Sequence, residues 1–416
     1  MRKAFLIFLG LLLAFEAQAI TKKVLPNGMT LIIKESPGLN LVATSVFIKV
    51  SNPAFSNLTG NLLLKGTKSR SAEQIADEIE NVGGSIAVTS AQDYLELSTL
   101  TLRRHFAVGL GLLADLVQNA SFVPDEFLKE YNLALSAIKG REDDPASFVH
   151  EHLLSELYGD HPYSSSCLGK LSVVQKIKRE QVINFYNRYY IPENMVVAVV
   201  GDIKAGQVLA EAERTLGQFT RKGKIKEIPP PRTLIESKTK IIPKELSSVW
   251  LELGFMVPEI GDKDYAALKV LNSLLGEGMT SHLFTEVRGK GSLVYQIGSF
   301  YPSLRQKSHF VVYAATTPKN LKKVKAEILA ALEKIKKEPI SKKELEHYKS
   351  HLIGTFLTAH QSIARQAWYL GWYETIGAGY KFDNKYLELV SKVTPADVQR
   401  VARKYFNKYV LVILGP

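Results

Sequence analysis

The stretch Val182-Ile-Asn-Phe-Tyr-Asn-Arg-Tyr-Tyr-Ile-Pro-Glu-Asn-Met-Val-Val-Ala-Val-Val-Gly201 decides the fold, because its pattern returns at the end of the chain. The second copy is Val398-Gln-Arg-Val-Ala-Arg-Lys-Tyr-Phe-Asn-Lys-Tyr-Val-Leu-Val-Ile-Leu-Gly415. Each copy predicts an amphipathic helix followed by a Val-rich strand that ends in glycine. The helical patterns Val108 to Leu116 and Val324 to Leu332 lie at the same offset before the two copies. Two related units therefore follow one another.

A polar, proline-rich segment separates the two units. It contains Pro229-Pro230-Pro231 and suits a semi-rigid linker. We therefore divide the 416 residues into four parts. These are residues 1–19, a first domain at 20–220, a linker at 221–241 and a second domain at 242–416.

Within each unit, strand patterns come first, helical patterns follow, and one strand closes the unit. Asn27-Gly28 separates two short apolar runs, and Tyr94-Leu-Glu-Leu-Ser-Thr-Leu100 alternates as a half-buried strand does. Such segregation predicts an α+β fold, in which a mixed or antiparallel sheet is covered by helices in each of two tandem domains.

Near the start, Asn57-Leu-Thr-Gly60-Asn61-Leu-Leu-Leu-Lys65-Gly66-Thr67 leads into a polar stretch that ends at Gly83-Gly84. This flank resembles the pitrilysin (insulinase-like) family of zinc metallopeptidases. The resemblance implies that two such two-domain halves enclose a chamber like a clamshell, and that this chain supplies one half. In active members, the turn before Lys-Gly-Thr carries His-x-x-Glu-His, whose two His bind zinc and whose Glu takes a proton from the metal-bound water.

The zinc-motif positions are degenerate in this chain. Counted back from Lys65, they hold Asn57, Gly60 and Asn61, and none of these is a good zinc ligand or a base. The resemblance places a third ligand, a Glu, at Ala137. We therefore expect a pitrilysin-type fold with no metal and no catalytic residue of its own.

A second segment resembles the part of the family that carries an Arg and a Tyr seven residues apart. It runs from Leu275 to Tyr295, and Arg288 and Tyr295 match that spacing. The resemblance implies that both side chains reach the zinc site of the facing half, where they donate hydrogen bonds to the substrate carbonyl. The alternative is structural: Arg288 ends a helix, and Tyr295 packs beside its strand neighbours.

Other histidines offer a weaker metal signal. His347 and His351 form the only i, i+4 pair, but no Glu occupies the catalytic position and Lys349 stands between them. His150 and His152 are two residues apart, so on a helix they point to different sides. Nucleotide-binding loops and a nucleophile elbow are absent from the sequence.

The first residues predict that the protein is exported. Met1-Arg2-Lys3, the apolar run Ala4 to Phe15 and Ala17-Gln18-Ala19 form the three parts of a secretory signal peptide, and an uncleaved anchor is the alternative. No later apolar run reaches the roughly 18 residues of a membrane span. We expect an exported, periplasmic protein in which the single Cys167 cannot form an internal disulfide.

The net charge of +12 lies on lysines and arginines scattered through helical stretches. An acidic partner or membrane surface is one explanation, and solvated helix faces are the simpler one. The chain contains no nucleic-acid motif, so nucleic acid is not an expected partner.

Three functions are compatible with these residues. The leading hypothesis is a non-catalytic subunit of an exported heterodimeric zinc endopeptidase. Its catalytic partner would carry His-x-x-Glu-His and the zinc, and this chain would supply Arg288 and Tyr295 for the peptide substrate. The alternatives are a catalytically inactive peptide-binding or scaffold homodimer, and a stand-alone hydrolase with an unrecognised site, for instance around His347 and His351.

Overall fold

The computed structural model describes residues 20–223, 225, 227–289 and 293–416. The signal peptide predicted in residues 1–19 lies outside the described residues. Within these described ranges, eleven strands form two sheets. The first sheet contains β1 (Ile20–Val24), β2 (Thr30–Glu35), β3 (Leu41–Lys49), β4 (Ser85–Ser90), β5 (Tyr94–Leu102) and β6 (Met195–Gly201). The second contains β7 (Lys238–Pro243), β8 (Val249–Val257), β9 (Val294–Phe300), β10 (Ser308–Thr316) and β11 (Val410–Gly415).

Helices fill the intervals between the strands. Those of the first half are α1 (Pro53–Leu63), α2 (Ala72–Glu80), α3 (Phe106–Asn119), α4 (Pro124–Asp143), α5 (Pro145–Tyr158), α6 (Leu171–Val174), α7 (Arg179–Tyr189) and α8 (Ala205–Thr215). Those of the second half are α9 (Tyr265–Gly276), α10 (Leu321–Lys337), α11 (Lys342–Ala359), α12 (Ile363–Thr375), α13 (Phe382–Lys392) and α14 (Pro395–Tyr405). No helix within the described ranges has the length and apolar character needed to cross a membrane.

The two sheets repeat one topology. The first has the order β1-β2-β6-β3-β5-β4 and the second β7-β11-β8-β10-β9. In each, the closing strand is parallel to one neighbour (β6 to β2, β11 to β7) and antiparallel to the other. The predicted α+β class, with two sheets covered by helices, is confirmed.

The segment predicted as a linker is partly integrated into the domains on both sides. The Arg221 guanidinium donates to the carbonyl oxygens of Tyr190 and Gln118 at 3.1 and 2.9 Å, which ties this end to the first domain. At the other end, β7 begins at Lys238 and pairs in parallel with β11. The second sheet therefore starts before residue 242.

The two domains exchange one helix each. Helix α5, which begins at Pro145 with the Asp144 side chain capping it, packs on β8 and β11 of the second sheet. Helix α12 of the second half packs on β3 and β6 of the first sheet. Each sheet therefore buries one face against a helix that belongs to the other domain.

Glycines make the two close approaches that this exchange needs. A Cβ at Gly371 in α12 would lie 2.4 Å from Phe47 Cε2 and 3.2 Å from Ala198 Cβ. A Cβ at Gly254 in β8 would lie 2.9 Å from methyl carbons of both Leu153 and Leu157 of α5. A larger residue at either position would require the facing side chains or the exchanged helix to shift.

A buried carboxylate fixes the closing helix of the second domain. Asp264, which is 0% exposed, accepts hydrogen bonds from Arg400 at 2.6 Å, Lys404 at 2.8 Å and the Tyr405 hydroxyl at 2.8 Å. Burial opposes its ionisation, but the three hydrogen bonds outweigh burial and lower the pKa of Asp264 to about 2.

We predict that Gly371→Ala destabilises the chain by about 1–3 kcal/mol, because the added methyl group overpacks against Phe47. Urea denaturation followed by circular dichroism measures the change. Gly354→Ala in α11 is the matched control, since nothing lies within 4 Å of its added Cβ. That control should be neutral or stabilising by up to about 1 kcal/mol. Equal stability of the two variants would contradict the tight approach of α12.

We also predict an acid-dependent loss of stability that Asp264 causes. A carboxyl with a folded-state pKa near 2, below the unfolded value of about 3.9, stabilises the fold above that unfolded value and ceases to do so as pH falls through 2. Asp264→Asn should lower the free energy of unfolding by roughly 2 kcal/mol at pH 7 and much less at pH 2. Melting temperatures across this pH range measure the difference. A constant difference would show that ionisation of Asp264 is not responsible.

Candidate functional site

Helix α1 carries the degenerate zinc-motif positions. It begins after Asn52, whose side chain accepts a hydrogen bond from the Phe55 amide, and Pro53 occupies its first turn. Asn57 is half-buried, Asn61 is exposed and Gly60 faces the sheet. A Cβ at Gly60 would lie 2.6 Å from Leu95 Cδ1 and 3.1 Å from Val88 Cγ1. Apolar side chains from the sheet therefore fill the space that a side chain at position 60 needs.

The fourth position, Ala137, lies exposed on α4, which packs against α1. Lys65 at the end of α1 forms an ion pair of 3.0 Å with the mostly buried Glu130 of α4. This ion pair holds the two helices together. The four motif positions on them carry only two side-chain amides, a glycine hydrogen and the methyl group of Ala137. In the described ranges, no three His, Cys, Asp or Glu side chains form a group able to hold a metal ion.

Arg288 lies on an unusual turn of the second domain. Residues 284–289 form a π-helical turn, a conformation frequent at functional sites. Val287 anchors this turn in the core, and the exposed Arg288 guanidinium stands 5.0 Å from the centre of the Phe284 ring. Among the described residues, no carboxylate lies within 4 Å of that guanidinium. Its hydrogen-bond donors remain accessible.

Two contacts hold the segment that leads to this turn. The His282 Nε2 lies 2.5 Å from Glu344 Oε1, and the Tyr348 hydroxyl donates to the Thr280 carbonyl at 2.9 Å. Both partners belong to α11. The loop after α9 and the turn with Arg288 are thus fixed to a long helix.

Tyr295 lies on the edge strand β9, against which the π-helical turn packs. Val294 pairs with Thr316 and Gln296 with Ala315, so Tyr295 is the extra residue of a β-bulge. The residue is 60% exposed, and its strand neighbours do not cover it. A bulge redirects a side chain, and here it presents the Tyr295 hydroxyl to solvent beside the turn of Arg288.

The histidines considered as a weaker metal signal are His347, His351 and His150. His347 and His351 are exposed on α11, and His347 contacts Thr280 at 3.3 Å. Lys349 between them is buried and donates to Glu346 and to the Ser391 carbonyl. His150 binds Glu252 at 2.9 Å in the layer between α5 and the second sheet.

Sequence reasoning missed one group on the inner face of the first sheet. Glu96 lies on the polar side of the alternating pattern of β5, which a half-buried strand turns to solvent, yet it is only 7% exposed because α12 lies over this face. Burial raises the pKa of this carboxyl, although the Ser45 hydroxyl donates to it at 2.8 Å. The sequence carries no signal of this burial, because an acidic residue on the polar side of an alternating strand is ordinary. Only the structure shows that Arg365 of α12 lines the same space.

Comparison with known proteins agrees with this architecture. Residues 45–170 match the family described as insulinase (peptidase family M16), and residues 176–352 match the family's second description, the peptidase M16 inactive domain. Together these matches cover most of the chain.

Relatives of known sequence extend over nearly the whole length. The chain is 27% identical over 398 residues to the uncharacterized zinc protease YmxG of Bacillus subtilis, covering 94% of this chain and 97% of that protein. It is 26% identical over 407 residues to an uncharacterized zinc protease of Rickettsia bellii, with 94% and 96% covered.

Two solved structures share the fold. A protease from Helicobacter pylori superposes with a TM-score of 0.90 at 24% identity, covering 96% of this chain and all of the other. The peptidase M16 inactive domain from Pseudomonas fluorescens superposes with a TM-score of 0.89 at 22% identity, covering 95% and 98%. The expected fold of a pitrilysin-type half is confirmed. The chain belongs to the M16 peptidase family, the pitrilysin-like family that its sequence resembles.

Proposed function

We propose that this chain is the non-catalytic subunit of an exported heterodimeric zinc endopeptidase. Its catalytic partner carries His-x-x-Glu-His and the zinc ion, and this chain closes the peptide chamber. The observation that carries the proposal is the contrast between its two domains. The second presents Arg288 and Tyr295 to solvent on a π-helical turn and an adjacent bulge, whereas the first has lost its metal ligands.

The first domain is a poor place for zinc chemistry, and the reason is steric as well as chemical. Asn57, Asn61 and Ala137 provide neither imidazole nor carboxylate. Position 60, where the family has its catalytic base, is closed by Leu95 and Val88. A side chain at position 60 would therefore require Leu95 to shift, in addition to the new ligands.

The second domain retains groups suited to the other half of the reaction. A guanidinium and a phenol both donate hydrogen bonds, and neither Arg288 nor Tyr295 is covered by the core. Placed across a chamber from a metal-bound water, they would bind the substrate carbonyl and stabilise the oxyanion that forms on attack. The fixed turn and bulge lower the entropic cost of holding these donors in position.

A peptide also needs a surface along which to lie. Strand β4 ends the first sheet, and within the described residues its outer edge pairs with no other strand. Its residues are alternately exposed and half-buried, so neither face of this strand is fully covered. An extended peptide would add to this edge through main-chain hydrogen bonds, beside the helix that carries Asn57 and Asn61.

Export and partnership complete the proposal. The segment from Met1 to Ala19 has the composition of a secretory signal, which would place the mature chain in the periplasm. A catalytic M16 homologue of the same organism, exported likewise, is the expected partner. A scaffold homodimer would share the fold, but it gives no role to the exposed donors of the second domain.

We predict that restoring the four ligand positions does not restore zinc chemistry. In Asn57→His/Gly60→Glu/Asn61→His/Ala137→Glu, the side chain introduced at position 60 would overlap Leu95 Cδ1, so the variant should melt at a lower temperature. Bound zinc is measured by atomic absorption. The same variant without Gly60→Glu is the control and should melt near the parent. A stable quadruple variant with one zinc and peptidase activity would refute the steric closure.

We predict peptidase activity only in the mixture of this chain with its catalytic homologue. Turnover of an unstructured peptide should fall by about 10²–10³ with Arg288→Ala, as it does when one oxyanion donor is removed. It should fall less with Tyr295→Phe. Arg403→Ala, an exposed arginine on α14, is the control and should leave turnover unchanged.

Co-purification distinguishes association of the two chains from the contribution of Arg288 to turnover. Arg288→Ala should still associate with the partner, because only the donated group is lost. If the two chains do not associate, or if the mixture is no more active than the homologue alone, the subunit proposal fails. A stand-alone binding role would then be the better account.

A further inference from the structure

A cavity of about 260 Å³ lies between the inner face of the first sheet and α12, which the second domain contributes. We name it the Glu96 cavity. Its floor is made of small and polar residues on three neighbouring strands, and its wall is the first half of α12. The lining includes Ser45, Ser85, Ala87, Glu96, Ser98 and Arg365.

The second repeat shows that this space is not required by the fold. Aligning the closing glycines, Gly201 and Gly415, makes Ser45 equivalent to Glu252 through the strand registers. By the same registers, Ser98 is equivalent to Tyr313. Larger side chains thus occupy the corresponding surface of the second sheet. The first repeat leaves it open because it has two serines there.

The position of Glu96 itself departs from the pattern of the repeat. Glu96 is equivalent to Val311, which is completely buried in the second sheet. A carboxylate has replaced a core valine at the floor of a cavity. Burying such a group costs free energy unless it finds hydrogen-bond donors. Departures of this kind from the pattern of a fold are expected at functional or strained sites.

The hydrogen bonding of Glu96 is half complete. Its Oε1 accepts from the Ser45 hydroxyl at 2.8 Å, and its Oε2 accepts from no other described residue. By comparison, the carboxylate of Glu252 in the second sheet is paired with His150 at 2.9 Å. The first sheet has no such partner among the described residues. The second oxygen of Glu96 remains available to a ligand.

Arg365 supplies the opposite charge at the rim of the cavity. Its guanidinium stacks 4.4 Å over the Trp368 ring, which in turn stacks on Trp372 at 4.8 Å. Within the described residues, Arg365 makes no ion pair with Glu96 closer than 4 Å. An acceptor at the floor and a donor at the rim therefore face one cavity without neutralising each other through direct contact.

We propose that the Glu96 cavity binds the carboxamide side chain of an Asn or Gln residue in the peptide. A carboxamide carries a donor NH₂ and an acceptor oxygen on one carbon, so it satisfies Glu96 and Arg365 together. This inference rests on the proposed peptide-chamber function. A chain added to β4 directs alternate side chains to the face of Ser85 and Ala87, and both of these residues line the cavity.

The other classes of side chain fit less well. A lysine would gain Glu96 but would approach the Arg365 guanidinium, and a glutamate would bring a second carboxylate to Glu96. An apolar side chain would displace water and leave the free oxygen of Glu96 without a donor. The cavity is therefore selective for neutral, hydrogen-bonding groups.

The test is fluorescence anisotropy with four labelled peptides that differ only in one central residue: Gln, Glu, Lys or Met. We expect the Gln peptide to bind the full chain about tenfold more tightly than the other three. Glu96→Val introduces the residue found at the equivalent position of the other repeat. Glu96→Val and Arg365→Met should each lower the affinity for the Gln peptide to that for the Met peptide. Arg188→Met on α7 is the surface control and should change nothing.

The outcomes separate this inference from the proposed function. If all four peptides bind alike and Glu96→Val changes none of them, the cavity is not a side-chain site. If Glu96→Val weakens all four equally, the cavity binds a main-chain peptide group and the side-chain assignment is overturned. If no peptide binds to this chain or to its mixture with the catalytic homologue, the chamber proposal itself fails. Melting curves of both variants check that loss of binding is not loss of folding.

Discussion

The packing of each sheet against a helix from the other domain is the constraint on which the rest of the structure depends. Helix α5 covers the second sheet and α12 covers the first, and Gly254 and Gly371 permit the close approach. Neither domain has a complete core by itself, because one face of its sheet would be exposed to water. The two repeats are therefore one structural unit. The same exchange places α12 over the inner face where Glu96 lies.

The repeat, the α+β class and the identity of most strands could be predicted from sequence, because the Val-rich strands and their closing glycines are local patterns. The exchange of α5 and α12 could not be predicted. An amphipathic pattern shows that one face of a helix is buried, but it does not show which sheet buries it. The start of β7 at Lys238 was missed for a similar reason, since that strand follows prolines and is defined by pairing with β11, far along the chain.

Part of the candidate site could likewise be predicted from sequence, and part could not. The positions of Arg288 and Tyr295 follow from their spacing within a recognisable segment. Their presentation does not, because the bulge at Tyr295 exists only in the pairing of β9 with β10. Likewise, Gly60 reads in the sequence as a missing base. That Leu95 and Val88 crowd this position is a property of tertiary packing, and it adds a steric obstacle to any side chain placed there.

Comparing the two repeats shows which polar groups the fold itself does not require. Val311 shows that an apolar residue suits the position of Glu96, and burying most of a carboxyl group there costs free energy, which is also why burial raises its pKa. Exposing Tyr295 through a bulge likewise leaves an aromatic side chain without packing. Under the proposed function, these groups would hold a peptide in a chain whose first domain lacks the metal ligands of the family. Binding, rather than bond cleavage, is the chemistry that this proposal assigns to the chain.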